Sequence, residues 1–273
     1  MILALLALGI AVLLVLRVPV AFAFLGPSLL YMMLAGQSAG QALRIVTNAT
    51  ASFPLLAVPL FVLLGTLTNH AGIADKLFRF AMAALARLKG NLGYVAIGVS
   101  VGFSWMSGSA VADAAALGKV QIPKMVAEGY GRRFATGVSA SSALIAPVMP
   151  PSIPAVIFAG LAAVSTGALF AASVIPAILM AIGLTFVVWL LVRKNPRLTT
   201  GAFDRREVME SAKDVILPLG SPVIILGGIL GGFFTPTEAA AVGVIYILLV
   251  ALIQRTLTWE IFLRSVREAF MTT

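Results

Sequence analysis

Along the chain, apolar residues gather in long blocks separated by short polar stretches. The blocks are Met1–Leu16, Pro19–Ala35, Phe53–Thr68, Leu92–Met106, Ala110–Gly118, Phe134–Phe170, Ala172–Val192, Val215–Phe233 and Pro236–Gln254. Many approach the ~20 residues that a helix needs to cross a bilayer, which predicts an all-α polytopic membrane protein. One stretch has a different rhythm. Between Ile73 and Gly90, Leu77, Phe80, Ala81, Ala84, Leu85 and Leu88 recur at helical spacing, opposite Asp75, Lys76, Arg79, Arg87 and Lys89. This pattern predicts an amphipathic helix lying at the membrane surface.

Leu92–Met106 and Ala110–Gly118 are too short for ordinary crossings; the first would make about 22 Å of helix. Basic residues flank the pair on both outer sides, with Arg87 and Lys89 before it and Lys119, Lys124, Arg132 and Arg133 after. Cytoplasmic placement of both flanks makes the pair a re-entrant helical hairpin that turns at Ser107-Gly108-Ser109. The remaining segments then alternate. Phe134–Phe170 becomes one crossing broken at Pro147–Pro154, and Arg193–Asp214 becomes a charged cytoplasmic loop. Of the 19 Lys and Arg residues, only Arg44 falls outside. That asymmetry is what the positive-inside rule requires.

Composition agrees with this reading. The chain is 60% hydrophobic and 11% charged, against roughly 25% charged residues in a soluble domain. Its net charge of +9 lies in the gaps between apolar blocks and forms no continuous patch, so nucleic acid is not an expected partner; membrane lipid is. Cysteine is absent, which excludes thiol chemistry and cysteine metal sites. The first basic residue, Arg17, follows the first apolar block, so Met1–Leu16 reads as a retained helix rather than a signal peptide.

A weak internal repeat emerges from the topology. Pro19, Ala23 and Gly26 share their spacing with Pro236, Ala240 and Gly243, and each proline opens the second helix of a pair. The two pairs have opposite orientation in the topology above, as inverted-repeat transporters do. The expected organisation is crossing helices over 1–72, an amphipathic surface helix over 73–90 and a part over 91–192 that holds the hairpin and the broken crossing; the family resemblance given below implies that these are scaffold, arm and transport-domain parts. A loop over 193–214 and the start of a second repeat over 215–273 complete it. A second hairpin and second broken helix would complete such a repeat, and neither precedes Thr273.

Half-helix ends inside a membrane expose backbone groups: carbonyls suit a sodium ion, and helix N-termini favour an anion. The candidate ion and substrate residues are Ser107, Gly108, Ser109 and Ala110 at the tip. Ser142, Ala146, Pro147, Pro150, Pro151 and Ser152 are those at the break. Ser107, Gly108 and Ser109 are the sodium candidates. Small residues also serve simply to pack membrane helices. Asp113 is the sole acid of the two arms; it could face a cation or cap the tip's free N–H groups. Glu238, in the first turn after Pro236, reads as structural. His70 is the single histidine. A Ser–His hydrolase using Ser107 or Ser109 would need His70 within hydrogen-bond reach, whereas the topology puts it at the cytoplasmic edge. No GxxxxGK[ST] loop is present, so no ATP-driven step is expected.

Five ordered blocks resemble the large membrane subunit, DctM-like, of tripartite ATP-independent periplasmic (TRAP) transporters. They are Ser52–Phe61 (SFPLLAVPLF), Gly72–Phe80 (GIADKLFRF), Ser107–Gly118 (SGSAVADAAALG), Pro150–Pro154 (PPSIP) and Phe234–Ala241 (FTPTEAAA). The resemblance implies a sodium-driven elevator in the bacterial inner membrane, multi-pass, with sodium as coupling ion and no other cofactor. It implies two partners, a small four-helix membrane subunit and a periplasmic binding protein that delivers an organic carboxylate such as a C4-dicarboxylate. It also implies a first sodium site between the tip and the Ala146–Ser152 break. Leu144 and Ala146 depart from the Thr and Gly that the family often has before its proline run. The reading from another class is a membrane scaffold that binds partner subunits without transporting.

Overall fold

A computed structural model describes residues 2–50, 53–193 and 201–273. Among them there are helices and turns and no strand. The chain divides into two compact units, Met1–Ser52 and Phe53–Thr273.

The first unit holds α1 (Ile2–Val15), α2 (Val20–Leu34) and α3 (Ala39–Thr50). Pro19 fixes the entry to α2, and Pro27 within α2 packs against Gly9 of α1. The stretch around Arg44, expected outside the membrane, is the amphipathic α3, whose apolar residues recur at the helical period.

The second unit begins with a 3₁₀ turn, Phe53–Leu56, and α4 (Ala57–His70). Gly72 takes a left-handed φ of 72° and ends that direction. The chain leaves at a 62° bend as α5 (Ile73–Ala84). α5 stops at Ala84 rather than Gly90, since turns occupy Leu85–Gly90. Its polar edge is tied to later elements. Arg79 pairs with Asp214 at 2.7 Å, and Lys76 donates to Gln254 Oε1. Burial holds the Lys76 ammonium below its usual range, with Asp214 working the other way.

α6 (Asn91–Ser107) and α7 (Ala110–Ala127) form a hairpin. Gln121 Nε2 reaches the Ala96 carbonyl at 3.4 Å, and the two residues lie equally far from the turn, so the arms run side by side. The second arm does not end at Gly118. It continues through Lys119 and Lys124 to Ala127, because charge ends an apolar block without ending a helix.

The broken crossing differs at one end. α8 (Arg132–Ala143) and α9 (Ile153–Ala162) flank the expected interruption. α9 then stops at Ala163, in left-handed conformation, eight residues earlier than the apolar block suggests. Ser165 caps α10 (Thr166–Val192), which takes in Phe170. Ser165-Thr166-Gly167 marks the turn, but so short a polar step was absorbed into the apolar block.

Two further corrections concern the last third of the chain. Residues 194–200 of the expected charged loop lie outside the described residues, but its end is α11 (Arg205–Ile216), capped by Asp204. The expected crossing Val215–Phe233 is therefore not continuous. α11 bends by 47° into α12 (Gly220–Leu230), whose 11 residues are shorter than the ~20 of a span. α13 (Pro236–Ile253) follows, opened by a full capping box between Thr235 and Glu238, which gives Glu238 its structural role. An unexpected amphipathic helix, α14 (Trp259–Thr272), packs on α4.

By length and apolarity, α10 and α13 are long enough to cross a membrane, and each of the two bent pairs adds one more if counted as a single span. One core surrounds α4, with Phe61, Leu64, Phe103, Met106, Ile225 and Ile247 fully buried or nearly so. A second joins the hairpin to α8 and α10 through Leu92, Met125, Ile145, Met149 and Val188. The tip and the break lie where these two bodies of packing adjoin.

Candidate functional site

α6 ends because Gly108 adopts φ 59° and returns its N–H to the Ser104 carbonyl at 3.1 Å. That left-handed step costs glycine nothing and reverses the chain in two residues. Ser109 is extended, at φ −133°, and its Oγ accepts the Ala112 N–H at 3.4 Å as the N-cap of α7. α7 therefore starts at the tip with its N–H groups directed there.

The break repeats this solution. Prolines at 147, 150, 151 and 154 supply no N–H to continue α8. Ser152 is extended, at φ −119°, and its Oγ accepts the Ala155 N–H at 3.3 Å as the N-cap of α9. The Ser152 hydroxyl donates to the Pro147 carbonyl, which closes the loop on itself.

The two N-termini meet. The Ile153 N–H donates to the Gly108 carbonyl at 3.4 Å. A Cβ on Gly108 would stand 2.6 Å from the Pro151 carbonyl oxygen and 3.3 Å from the Ile153 nitrogen. The tip and the break are thus in backbone contact, a proximity that no spacing in the chain encodes and that only the family resemblance implied.

Asp113 lies in the first turn of α7 with no exposed surface. The Ser107 hydroxyl donates to its Oδ1, and its Oδ2 has no partner. No ion pair with Asp113 occurs among the described residues. A carboxyl group held in this way lacks the compensation that burial of its ionised form would demand. Its Oδ2 is a buried oxygen acceptor left open beside the tip. No cluster of three or more His, Cys, Asp or Glu residues suited to a transition metal occurs among the described residues.

The sequence-derived residues separate into two groups. Ser107, Gly108, Ser109, Ala110 and Asp113 form the tip, and Pro147, Pro150, Pro151 and Ser152 form the loop against it. Ala146 is buried in that loop. Ser142 is engaged elsewhere: it accepts from Ser100 Oγ at 2.9 Å and donates to the Ser139 carbonyl at 3.1 Å, between α6 and α8. Beside the tip lies a cavity of about 440 Å³, whose lining includes Gly65, Ser107, Ser109, Val111, Ile153 and Glu268. Gly65 and Glu268 were not singled out from sequence. Gly65 signals itself only as a small residue in an apolar helix, and Glu268 belongs to a helix that the apolar pattern omitted.

His70 does not approach the tip serines. Its Nδ1 meets Ser265 Oγ at 2.9 Å and its Nε2 lies 3.3 Å from Glu268. Ser265 has no exposed surface, so this Ser–His–Glu row cannot receive a substrate and instead pins α14 to α4.

Known proteins resemble the chain along nearly its whole length. Residues 7–273 match the family profile described as "Tripartite ATP-independent periplasmic transporter, DctM component". The chain is 40% identical over 257 residues to the sialic acid TRAP transporter large permease protein of Vibrio cholerae, covering 93% of this chain and 60% of that one. It is 36% identical over 217 residues to the 2,3-diketo-L-gulonate TRAP transporter large permease protein of Escherichia coli, covering 79% and 51%. The C4-dicarboxylate TRAP transporter large permease protein of Pseudomonas aeruginosa is 37% identical over 200 residues, covering 73% and 47%. The chain thus spans about half the length of these relatives, all of which are transporter permeases rather than enzymes.

Proposed function

From its membership of the DctM component family of TRAP transporters, to which this chain belongs, we propose that it forms part of the permease of a sodium-coupled importer of organic carboxylates. The observation that carries this reading is the contact between two Ser-capped helix N-termini at Gly108 and Ile153, with the half-paired carboxyl of Asp113 beside them. Sodium is held by Asp113 and the carbonyls of the tip. The N-termini of α7 and α9 supply the positive pole that a carboxylate seeks. The named substrates of the relatives, sialic acid, 2,3-diketo-L-gulonate and C4-dicarboxylate, are all carboxylates at neutral pH, which supports the class without choosing a member.

In this reading the hairpin is re-entrant, α5 is an arm at the inner surface of the inner membrane, and the tip-and-break body moves against the α4 framework. Partners are a small membrane subunit and a periplasmic binding protein. The test is uptake into proteoliposomes containing the chain, both partners and the portion of a relative that the chain does not match. Import that requires an inward sodium gradient is the expected result. Assembly with partners but no import under any gradient would favour a scaffold role instead.

A further inference from the structure

The tip is held from two sides by different glycine contacts. Gly108 lies against the break, as described. On the other side, Gly65 of α4 lies against Ser107. A Cβ on Gly65 would stand 3.1 Å from Ser107 Cα, 3.3 Å from the Ser107 carbonyl oxygen and 3.6 Å from Ser107 Cβ. Glycine in the middle of a helix is unfavourable, so its presence here has to be matched by something that only a missing side chain allows. What it allows is close approach of α4 to the backbone of the tip, at the residue whose hydroxyl holds Asp113.

The two contacts differ in their surroundings. At Gly108 the tip bonds to the break through the Ile153 N–H. At Gly65 no hydrogen bond joins α4 to Ser107 among the described residues, and the 440 Å³ cavity opens directly beside the contact. One side is fastened; the other is a smooth surface with space next to it. α4 is meanwhile fixed to α13 and to α14, the latter through His70 and through Thr66 Oγ1, which donates to the Ser265 carbonyl at 3.2 Å.

We infer that Gly65 is the seat on which the hairpin tip rests in one transport state, and that the tip leaves α4 there while staying fastened to the break. Gly65 is a positioning residue: it touches neither ion nor substrate and acts through Ser107. The inference rests on the permease reading above.

Gly65→Val and Gly65→Ala are to be compared in the reconstituted complex with Gly98→Ala, whose added methyl meets nothing within 4 Å. The expected result is a fall in maximal uptake of about tenfold for valine and less for alanine, with sodium half-saturation moving by less than about twofold. Gly98→Ala should match the parent. Unchanged uptake in Gly65→Val overturns the inference, as does a sodium affinity that falls in step with the rate, since the residue would then belong to the binding site itself. A second arm covers a valine variant that does not fold. The chain has no cysteine of its own, and the 3.6 Å Cβ separation suits a disulfide, which needs about 3.5–4.5 Å. Because Ser107 belongs to the proposed ion site, the Gly65→Cys/Ser107→Cys pair is read by cross-linking and not by uptake: oxidation of the complex should join the two residues in high yield, and failure to cross-link overturns the α4–tip contact on which the inference rests. Failure of the unaltered complex to import would strike the permease reading instead.

Discussion

The hairpin tip and the proline break solve one problem with different materials. Each must stop a helix inside apolar surroundings and start another, and each starts the new helix with an extended serine whose Oγ accepts the N3 amide. They differ in how the old helix is stopped. At the tip a single left-handed glycine does it within two residues. At the break, nine residues from Leu144 to Ser152 intervene, and proline withholds the donors that would resume the helix. A stop made by glycine is compact and leaves no slack, so it tolerates no side chain. A stop made by proline is long and braced by the Ser152–Pro147 bond, so losing one member leaves the others in place. The tip should therefore be the more sensitive of the two to small changes.

The largest effect is expected at Gly108. Any L-residue there pays about 1–2 kcal/mol for the left-handed conformation alone. Its Cβ must also displace the Pro151 carbonyl, 2.6 Å away, which is backbone and cannot swing aside. Gly108→Ala should abolish sodium-dependent uptake and lower the melting temperature of the purified chain. In contrast, Pro150→Ala at the break should retain measurable uptake. Equal tolerance at both positions would erase the distinction between the two stops.

Next in size is the carboxyl that only the tip possesses. Asp113 is fully buried with one oxygen unpaired, so without a cation it is a cost to the fold. Sodium at 100 times its dissociation constant should stabilise the parent by about 2.7 kcal/mol, read as a rise in melting temperature when sodium replaces choline. Asp113→Asn removes the charge and nearly preserves shape. It should melt at or above the parent in choline and show no rise with sodium. A variant that still responds fully to sodium would place the ion elsewhere.

How much of this was legible in the sequence follows from the range of the interactions involved. The hairpin, the break and the capping residues are local. Ser-Gly-Ser, the spacing of four prolines and the Thr235–Glu238 box each announce a helix end within a few residues. Boundaries set by apolarity fared worse, because apolar runs do not mark turns. Ala163–Ser165 ends a helix where the sequence offers only the short polar step Ser165-Thr166, and α7 runs nine residues past its apolar block into lysines. Amphipathic α3, α11 and α14 were missed as helices because they are polar enough to read as connections. The candidate site was legible as two halves. That Gly108 touches Pro151, that Ser107 holds Asp113 and that Gly65 seats Ser107 are facts of packing, fixed by α4, α6 and α9 coming together, and no spacing in the chain encodes them.

The smallest effects test the feature that the two stops share. Removing an N-cap hydroxyl costs about 0.5–2 kcal/mol, so Ser109→Ala and Ser152→Ala should each lower stability by about 1 kcal/mol in chemical or thermal unfolding. The hydroxyls are not equivalent. Ser109 Oγ serves the Ala112 amide, whereas Ser152 Oγ serves the Ala155 amide and also ties down the Pro147 carbonyl. Ser152→Ala should therefore be the costlier of the two, although the break is the more tolerant stop. The caps belong to helices whose first turns touch through Gly108 and Ile153, so the double variant should fall short of the sum by more than the roughly 0.3–0.5 kcal/mol scatter of independent sites. Strict additivity would mean that the two N-termini, though adjacent, are held independently, and the tip could then move without carrying the break along.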